Sequence, residues 1–253
     1  MDLRHYVDLV LVLTKKEIKV RYKNHVLGYL WSVANPLAFA LVFYVAFKIV
    51  MRIKMENYAV FLLAGMFPWQ WFSNSVNISP TVFVGNASII KKIRFPRSVV
   101  TLALVLQDMI HFIVSLPVIA LFLFLFDSAP SWSWIYGVPL LLLVQLGITY
   151  GTALTVATVN LFFRDMEKLT NVLVMMLFYF TPVLYSESMI PAKYRSLVYL
   201  NAVAPMIMSW RDLRINGELN FAQLGLAIAY SLVVFLVGQY VFARLSWRFA
   251  EVL

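Results

Sequence analysis

Cysteine is absent from this 253-residue sequence, and charged residues make up only 13% of it. Without cysteine the chain forms no disulfide, no catalytic thiolate and no cysteine-ligated metal site. No glycine is followed by lysine, so the glycine-rich phosphate loop of many ATPases does not occur. The three histidines are too scattered for an HExxH zinc site, and there is no GxSxG nucleophile elbow. We therefore expect no metal site, no cofactor and no enzymatic activity of these kinds.

Apolar residues, by contrast, make up 62% of the chain and are arranged in six long runs without charge. A helix needs about 20 apolar residues to cross the hydrocarbon core of a bilayer. The pattern predicts an all-α polytopic membrane protein with six transmembrane helices. We place the spans near residues 27–49, 58–80, 98–126, 136–160, 168–186 and 221–243.

The distribution of lysine and arginine predicts the orientation in the membrane. An even number of spans puts both termini on one side, and that side holds 14 of the 21 basic residues. Since cytoplasmic loops are enriched in lysine and arginine, we expect both termini in the cytoplasm. Contact with anionic lipid head groups or a cytoplasmic partner then accounts for the net charge of +9 without nucleic acid.

Residues 1–26 are predicted to form an amphipathic helix before the transmembrane domain of residues 27–253. Apolar residues between Leu3 and Tyr22 recur at helical spacing, while lysines that include Lys16 and Lys19 fall largely on the other face. A basic amphipathic helix is typical of the cytoplasmic membrane surface. This helix is either a passive anchor or a docking element for a partner protein.

A further unusual segment, residues 187–218, lies between the last two spans on the outer side. Its middle, from Leu197 to Trp210, carries no charge, is too short to cross a bilayer and is too apolar for an ordinary loop. It predicts short re-entrant helices that form an outer gate, or else a helix lying flat on the outer surface. The candidate gate residues are Pro191, Tyr199, Pro205 and Trp210.

Polar and aromatic side chains recur inside the predicted spans. Gln70, Ser73, Asn74 and Asn77 share one helical face, which indicates either hydrogen bonds between helices or a pore lining. Aromatic rings are mostly packing residues, yet they also stack on the C–H faces of sugars. The candidates for a substrate path are Phe39, Phe43, Phe47, Trp69, Trp71, Phe72, Gln70, Asn74, Asn77, Phe178, Tyr179 and Tyr185.

The third span carries Asp108 and His111 on one face. Ionisable residues inside a membrane are costly and often mark ion pathways. The alternatives are a structural Asp108, paired with His111 or with a neighbouring helix, and a proton-coupling site. In the fourth span, Gly147 and Gly151 have the GxxxG spacing that permits close helix packing.

Several segments, in order along nearly the whole chain, resemble the membrane subunit of polysaccharide-export ABC transporters, the O-antigen and teichoic-acid permeases. The matching segments are 21–37 (RYKNHVLGYLWSVANPL), 63–73 (LAGMFPWQWFS), 86–97 (NASIIKKIRFPR), 163–167 (FRDME), 178–185 (FYFTPVLY), 190–191 (IP) and 248–251 (RFAE). One departure is 200–205 (LNAVAP), where the family has a shorter Leu-Asn-Pro.

The resemblance implies a homodimer in a bacterial inner membrane that exports a lipid-linked polysaccharide, driven by two copies of a separate ATP-binding subunit. A 253-residue chain without internal duplication fits a homodimer as well. The resemblance further implies that the N-terminal helix and the loop 86–97 contact the ATPase. The coupling candidates are Lys16, Lys19, Ile89, Ile90, Lys91, Lys92, Ile93, Arg94 and Phe95.

Two other functions fit parts of the sequence. One is a membrane-embedded enzyme that acts on a polyprenyl-linked sugar, with Asp108 and His111 as acid and base. The other is a proton-coupled carrier that uses the same two residues.

Overall fold

The computed structural model describes residues 2–22, 30–52, 55, 57–93, 95–125 and 131–249. Within this part of the chain all regular structure is helical, in agreement with the predicted all-α fold. The α-helices are α1 (Leu3–Tyr22), α2 (Leu30–Tyr44), α3 (Tyr58–Ile78), α4 (Val82–Gly85), α5 (Ala87–Lys92), α6 (Ser98–Leu125), α7 (Trp134–Asn160), α8 (Met166–Phe180), α9 (Ala204–Arg211) and α10 (Phe221–Leu245).

Three of these helices, α6, α7 and α10, are long and apolar enough to cross a membrane. Their bounds lie within a few residues of the spans predicted at 98–126, 136–160 and 221–243. The first turn of α10 is fixed by Asn220, whose side-chain oxygen accepts hydrogen bonds from the backbone N–H groups of Ala222 (3.0 Å) and Gln223 (3.3 Å). Such a cap satisfies N–H groups that have no partner within the helix.

The closest helix pair is α7 with α10, and glycines make that closeness possible. Gly151 lies against the backbone of Val234, and a Cβ on Gly238 would overlap the carbonyl oxygen of Gly151. One turn earlier, Gly147 leaves room for Ser231, whose hydroxyl donates to the Val144 carbonyl at 2.8 Å. The GxxxG spacing therefore does mark a packing face, as predicted, and its partner is the last helix.

Helix α3 lies at the centre of the bundle, with most of its residues buried. It packs against α2, α6, α7, α8 and α9. Pro68 interrupts its hydrogen bonding, because proline has no N–H to donate to the carbonyl four residues earlier. The interior of the molecule is therefore built around a helix whose hydrogen bonding is interrupted at Pro68.

Two elements differ from the sequence prediction. The helix predicted at 168–186 ends at Phe180, because Pro182 disfavours helical backbone at Thr181. Its 15 residues reach about 22 Å, less than the ~30 Å of a bilayer core. The N-terminal helix α1 does not only follow a surface: it packs along α6 with Leu13 and Thr14 buried.

The glycine contact predicts opposite effects for two substitutions in α10. Gly238→Ala should lower the free energy of unfolding by about 1–3 kcal/mol, because the new methyl group would overlap backbone that cannot move aside. Gly225→Ala is the matched control: nothing lies within 4 Å of a Cβ there, and alanine favours the helix. Thermal unfolding of both variants in detergent checks this, and equal midpoints would contradict the packing described.

Candidate functional site

The structure joins five of the predicted path residues into one row of rings. Phe47 and Phe43 lie 6.2 Å apart between ring centroids, and Phe43 lies 5.8 Å from Phe178 of α8. Phe178 contacts Trp69 at 5.4 Å, and Trp69 contacts Phe72 at 5.7 Å. The row therefore runs continuously from Phe47, just beyond α2, through α2 and α8 to α3. The rings of Phe43, Phe47 and Phe178 are half-buried, whereas those of Trp69 and Phe72 are buried in the core.

The polar residues of α3 occupy the accessible strip of an otherwise buried helix. Apart from Ala59 and Ile78 near its ends, the only α3 side chains that are not buried are Gln70, Ser73, Asn74 and Asn77. The side-chain oxygens of Gln70 and Asn77 have no hydrogen-bond partner among the described residues. Bonds to neighbouring helices therefore do not account for these two oxygens.

The remaining path candidates divide into two groups. Phe39 and Tyr179 are 55% and 61% accessible, and the hydroxyl of Tyr185 donates to the Tyr179 carbonyl at 3.1 Å. Trp71 is buried: its ring stacks on Phe112 at 5.4 Å, and its N–H donates to a backbone carbonyl of α6. In a single copy, the first group faces outward and Trp71 belongs to the core.

Beyond α8 the chain runs through a non-helical segment, 181–186, whose residues 181–184 are buried and whose carbonyls need donors. Arg211, at the end of α9, donates from Nη2 to the carbonyl of Val183 at 3.0 Å. The hydroxyl of Tyr58 donates to the next carbonyl, that of Leu184, at 2.8 Å. The guanidinium lies 3.6 Å from the ring centroid of Phe61, and Gly65 leaves space for it, since a Cβ there would lie 2.8 Å from Nη2.

A second arginine replaces the hydrogen bond that α3 loses at Pro68. Pro68 leaves the carbonyl of Ala64 without its helical donor, and Arg214 donates to that carbonyl from Nη1 at 2.9 Å. Gln145 of α7 donates to the Pro68 carbonyl at 2.7 Å and accepts from the indole N–H of Trp210 at 2.6 Å. Arg214 is only 2% accessible, and its guanidinium lies 4.6 Å from the Trp210 ring.

The sequence prediction did not single out either arginine. They were counted only as outer basic residues, although their position at the end of a long uncharged run was an available signal. In the structure they lie inside the protein, where no described carboxylate forms a salt bridge with them. Backbone carbonyls and aromatic faces are their partners instead.

The four gate candidates lie in different surroundings. Pro205 and Trp210 are buried with the whole of α9, which packs against α3, α7 and α10, whereas Pro191 is accessible. The hydroxyl of Tyr199 donates to the Glu187 carboxylate at 2.9 Å. Burial, and then this carboxylate, raise the pKa of the Tyr199 phenol, so the hydroxyl stays protonated and keeps donating.

Helix α1 is joined by side-chain hydrogen bonds to the segment that precedes α6. The ammonium of Lys16 lies 2.5 Å from the Asn86 side-chain oxygen and 2.8 Å from the Glu17 carboxylate. Asn86 also donates to the Glu17 carboxylate (3.4 Å) and to the carbonyl of Val82 (2.9 Å). The N-terminal helix and the loop 86–97, which the resemblance predicts to contact an ATPase, are thus joined by hydrogen bonds into one surface.

The other coupling candidates point in two directions. Ile90 is buried, Phe95 packs against the core and Ile89 is half-buried. The accessible residues of this group are Lys19, Lys91, Lys92 and Ile93. Arg94 lies outside the described residues. This segment therefore anchors itself through Ile90 and Phe95 and presents the lysines and Ile93.

The C-terminal end packs beneath the same segment. Arg97 donates to the Ser246 carbonyl at 2.9 Å, and its guanidinium lies 5.7 Å from the ring of Phe249. Phe249 is fully buried and contacts Phe83 at 5.0 Å. Residues 246–249 therefore pack against the same segment that α1 contacts through Lys16.

Asp108 is held by two helices. Arg21 of α1 donates from Nη1 to one carboxylate oxygen, and Ser75 of α3 donates to the other at 2.7 Å. His111 lies buried one turn further along α6. The structural interpretation expected a partner from His111 or a neighbouring helix, and the structure supplies Arg21 and Ser75.

This ion pair predicts a rescue between two substitutions. Asp108→Leu should lower the free energy of unfolding by about 3 kcal/mol, because it leaves the Arg21 guanidinium without its carboxylate. Adding Arg21→Met should restore most of the loss, since an apolar pair can replace a buried ion pair. Thermal unfolding of the wild type and both variants in detergent checks this. A double variant no more stable than the single one would contradict the assigned pairing.

Comparisons with known proteins agree with this architecture. Residues 8–213 match the family described as ABC-2 type transporter. The chain is 46% identical over 252 residues to the O-antigen export system permease protein RfbA of Klebsiella pneumoniae, an alignment that spans 100% of this chain and 97% of that protein. The Myxococcus xanthus protein of the same description is 30% identical over 99% of this chain and 97% of its own length.

A more distant relative is the polysialic acid transport protein KpsM of Escherichia coli, which is 24% identical over 88% of both chains. The family match alone covers well over half of the sequence. Together with the apolar helices, these matches identify the chain as a member of the ABC-2 type transporter family, whose members are multi-pass membrane proteins.

Proposed function

We propose that this chain is the permease subunit of an ABC exporter that moves a lipid-linked polysaccharide of the O-antigen kind across a bacterial inner membrane. Relatives at 46% and 30% identity are described as O-antigen export permeases, and both alignments cover essentially the whole chain. ATP is bound and hydrolysed by a separate subunit, present in two copies.

The single observation that carries the proposal is the half-buried polar strip of α3. In lipid, amide side chains without partners are unfavourable, so a half-buried strip of Gln70, Ser73, Asn74 and Asn77, in which the oxygens of Gln70 and Asn77 lack partners among the described residues, must face protein or water. A C₂ homodimer brings the same surface of both copies together. Two copies that face each other across this strip would therefore enclose a wet passage.

The row of rings beside the strip suits a sugar polymer. Phe43 of α2 and Phe178 of α8 are half-buried on helices that pack against α3, and Tyr179 is accessible beyond them. Trp69 and Phe72 lie buried behind them in α3. Aromatic faces hold sugar C–H groups through weak contacts, while amides exchange hydrogen bonds with hydroxyls. Repeated weak contacts guide a polymer without trapping one unit.

The proposed topology has six crossings, with both termini in the cytoplasm. The fifth crossing consists of α8 continued by the non-helical segment 181–186, which is tolerated at membrane depth because Arg211 and Tyr58 satisfy the carbonyls of Val183 and Leu184. Segment 187–218 then forms a re-entrant outer gate around α9. With Arg211 and Arg214 inside the protein, the accessible basic residues are even more strongly biased to the cytoplasmic side.

Coupling to the ATPase is assigned to the surface built by α1, the loop 86–97 and residues 246–249. Its accessible charged and apolar groups include Lys19, Lys91, Lys92 and Ile93, and Lys16 links α1 to the loop. A movement of the docked ATPase would reach α6 and α3 through Arg21, Asp108 and Ser75.

The two alternatives from the sequence receive no such support. Both the enzyme and the proton carrier need Asp108 free to exchange a proton with substrate or solvent. Its oxygens are instead engaged by Arg21 and Ser75, and the side chain is buried.

The polar strip predicts a specific export defect. In a strain that lacks this gene, wild-type protein should restore surface polysaccharide, and Asn74→Leu with Asn77→Leu should reduce it at least about tenfold, since lost hydrogen bonds cannot be replaced by leucine. Surface polysaccharide is measured by immunoblot, with membrane levels of the chain measured in parallel. Asn171→Leu on α8 is the control, an accessible asparagine that is not part of the strip and whose amide donates to the Glu167 carbonyl of its own helix, and it should export normally.

Retained export in the double variant would remove the strip from the path. Failure of the wild-type protein to restore any polysaccharide would overturn the proposed function itself.

The coupling face predicts a defect in subunit assembly. Ile93 is 59% accessible, so Ile93→Asp should weaken docking of the ATPase about tenfold or more without disturbing the fold. Leu200→Asp is the control, an accessible apolar residue on the proposed outer side. Co-purification of the ATPase with tagged permease gives the measurement. Equal recovery of the ATPase with both variants would contradict the docking assignment.

A further inference from the structure

A cavity of about 270 Å³ lies where the chain turns out of α9, next to the segment that follows α8. Its walls include Phe61, Glu187, Ser188, Arg211 and Asp212, together with Gln223 of α10. The described path residues contribute nothing to it, so this cavity is separate from the row of rings. Its volume is slightly below the roughly 300 Å³ at which small-molecule sites begin, so it has room for no more than about one sugar ring.

Two of the residues that line the cavity each carry a buried polar atom without a hydrogen-bond partner among the described residues. Arg211 is 7% accessible, and while its Nη2 is bound to the Val183 carbonyl, its Nε has no hydrogen-bond partner. The side-chain oxygen of Gln223 likewise has none. A buried donor and a buried acceptor that both lack partners are costly unless a ligand or water satisfies them.

The charges on the wall select the kind of ligand. Arg211 contributes one positive charge, while Glu187 and Asp212 contribute two negative charges. An anion would meet this excess of negative charge, whereas a neutral molecule with hydroxyl groups would not. Each sugar hydroxyl both donates and accepts, so it can donate to a carboxylate or to Gln223 and accept from Arg211. Phe61 adds an apolar surface of the kind that sugar C–H faces prefer.

We propose that this cavity is a subsite for one neutral sugar unit of the transported polysaccharide, at the outer end of the permease. The proposal rests on the proposed function, since it names the part of the cargo that contacts this chain last. Binding of a single unit there would hold the leaving polymer against backsliding while the next unit advances.

The test uses the full chain with its ATPase subunit in lipid nanodiscs and observes binding by saturation-transfer NMR. The probes are methyl glycosides of the neutral sugars found by composition analysis of the host's surface polysaccharide. Methyl glucuronide and inorganic phosphate serve as anionic comparisons. We expect at least one neutral glycoside to bind and both anions to bind at least about tenfold more weakly.

Two variants locate the binding. Ser188→Trp should fill the cavity, and Gln223→Ala should remove one hydrogen bond, so each should weaken glycoside binding about tenfold. Ser196→Trp places the same bulk on an accessible residue of the same segment outside the cavity and should bind as the wild type does. Thermal unfolding midpoints within a few degrees of wild type are required of each variant compared.

The outcomes separate this inference from the proposed function. If wild-type protein restores surface polysaccharide but no glycoside binds, or if anions bind better, the subsite is rejected and the exporter stands. Equal binding by Ser188→Trp and Ser196→Trp also rejects it. If no polysaccharide is restored at all, the proposed function fails, whatever the NMR shows.

Discussion

The structure depends on one constraint: a backbone carbonyl that leaves a helix inside a membrane protein must find a donor within the protein. Among the described residues, the carbonyls that face this constraint include that of Ala64, opposite Pro68, and that of Val183, beyond the end of α8. Arg214 and Arg211 supply the donors, and both lie in the short segment that begins with α9. The inward position of that segment and the two breaks in the helices are therefore one arrangement.

This arrangement also explains why α3 combines a buried body with a polar strip. Its apolar faces are occupied by α2, α6, α7, α8 and α9, so the polar residues lie on the remaining surface, which the described helices cover only in part. Polar residues on that surface are costly next to lipid and useful next to water. The strip, the ring row and the cavity at Arg211 lie on elements that meet around α3.

Composition and charge sufficed to predict the all-α fold, the extents of α6, α7 and α10, and the placement of Asp108 inside a helix. Pro182 indicates that α8 ends near Phe180, but the sequence prediction extended this helix to residue 186. The partners of Arg211, Arg214 and Asp108 lie far away in sequence, and periodicity carries no information about such pairs. For the same reason the inward direction of Ile90 and Phe95 emerged only from packing.

The glycine crossing of α7 and α10 has a mechanical consequence. Because backbone touches backbone there, without side chains that could repack, sliding one helix past the other would drive carbonyls into each other. The two helices therefore behave as one rigid unit. A hinge motion that widens the passage must therefore occur elsewhere, at the breaks in helical hydrogen bonding after Phe180 and around Pro68. At both breaks a guanidinium group can exchange one carbonyl acceptor for another.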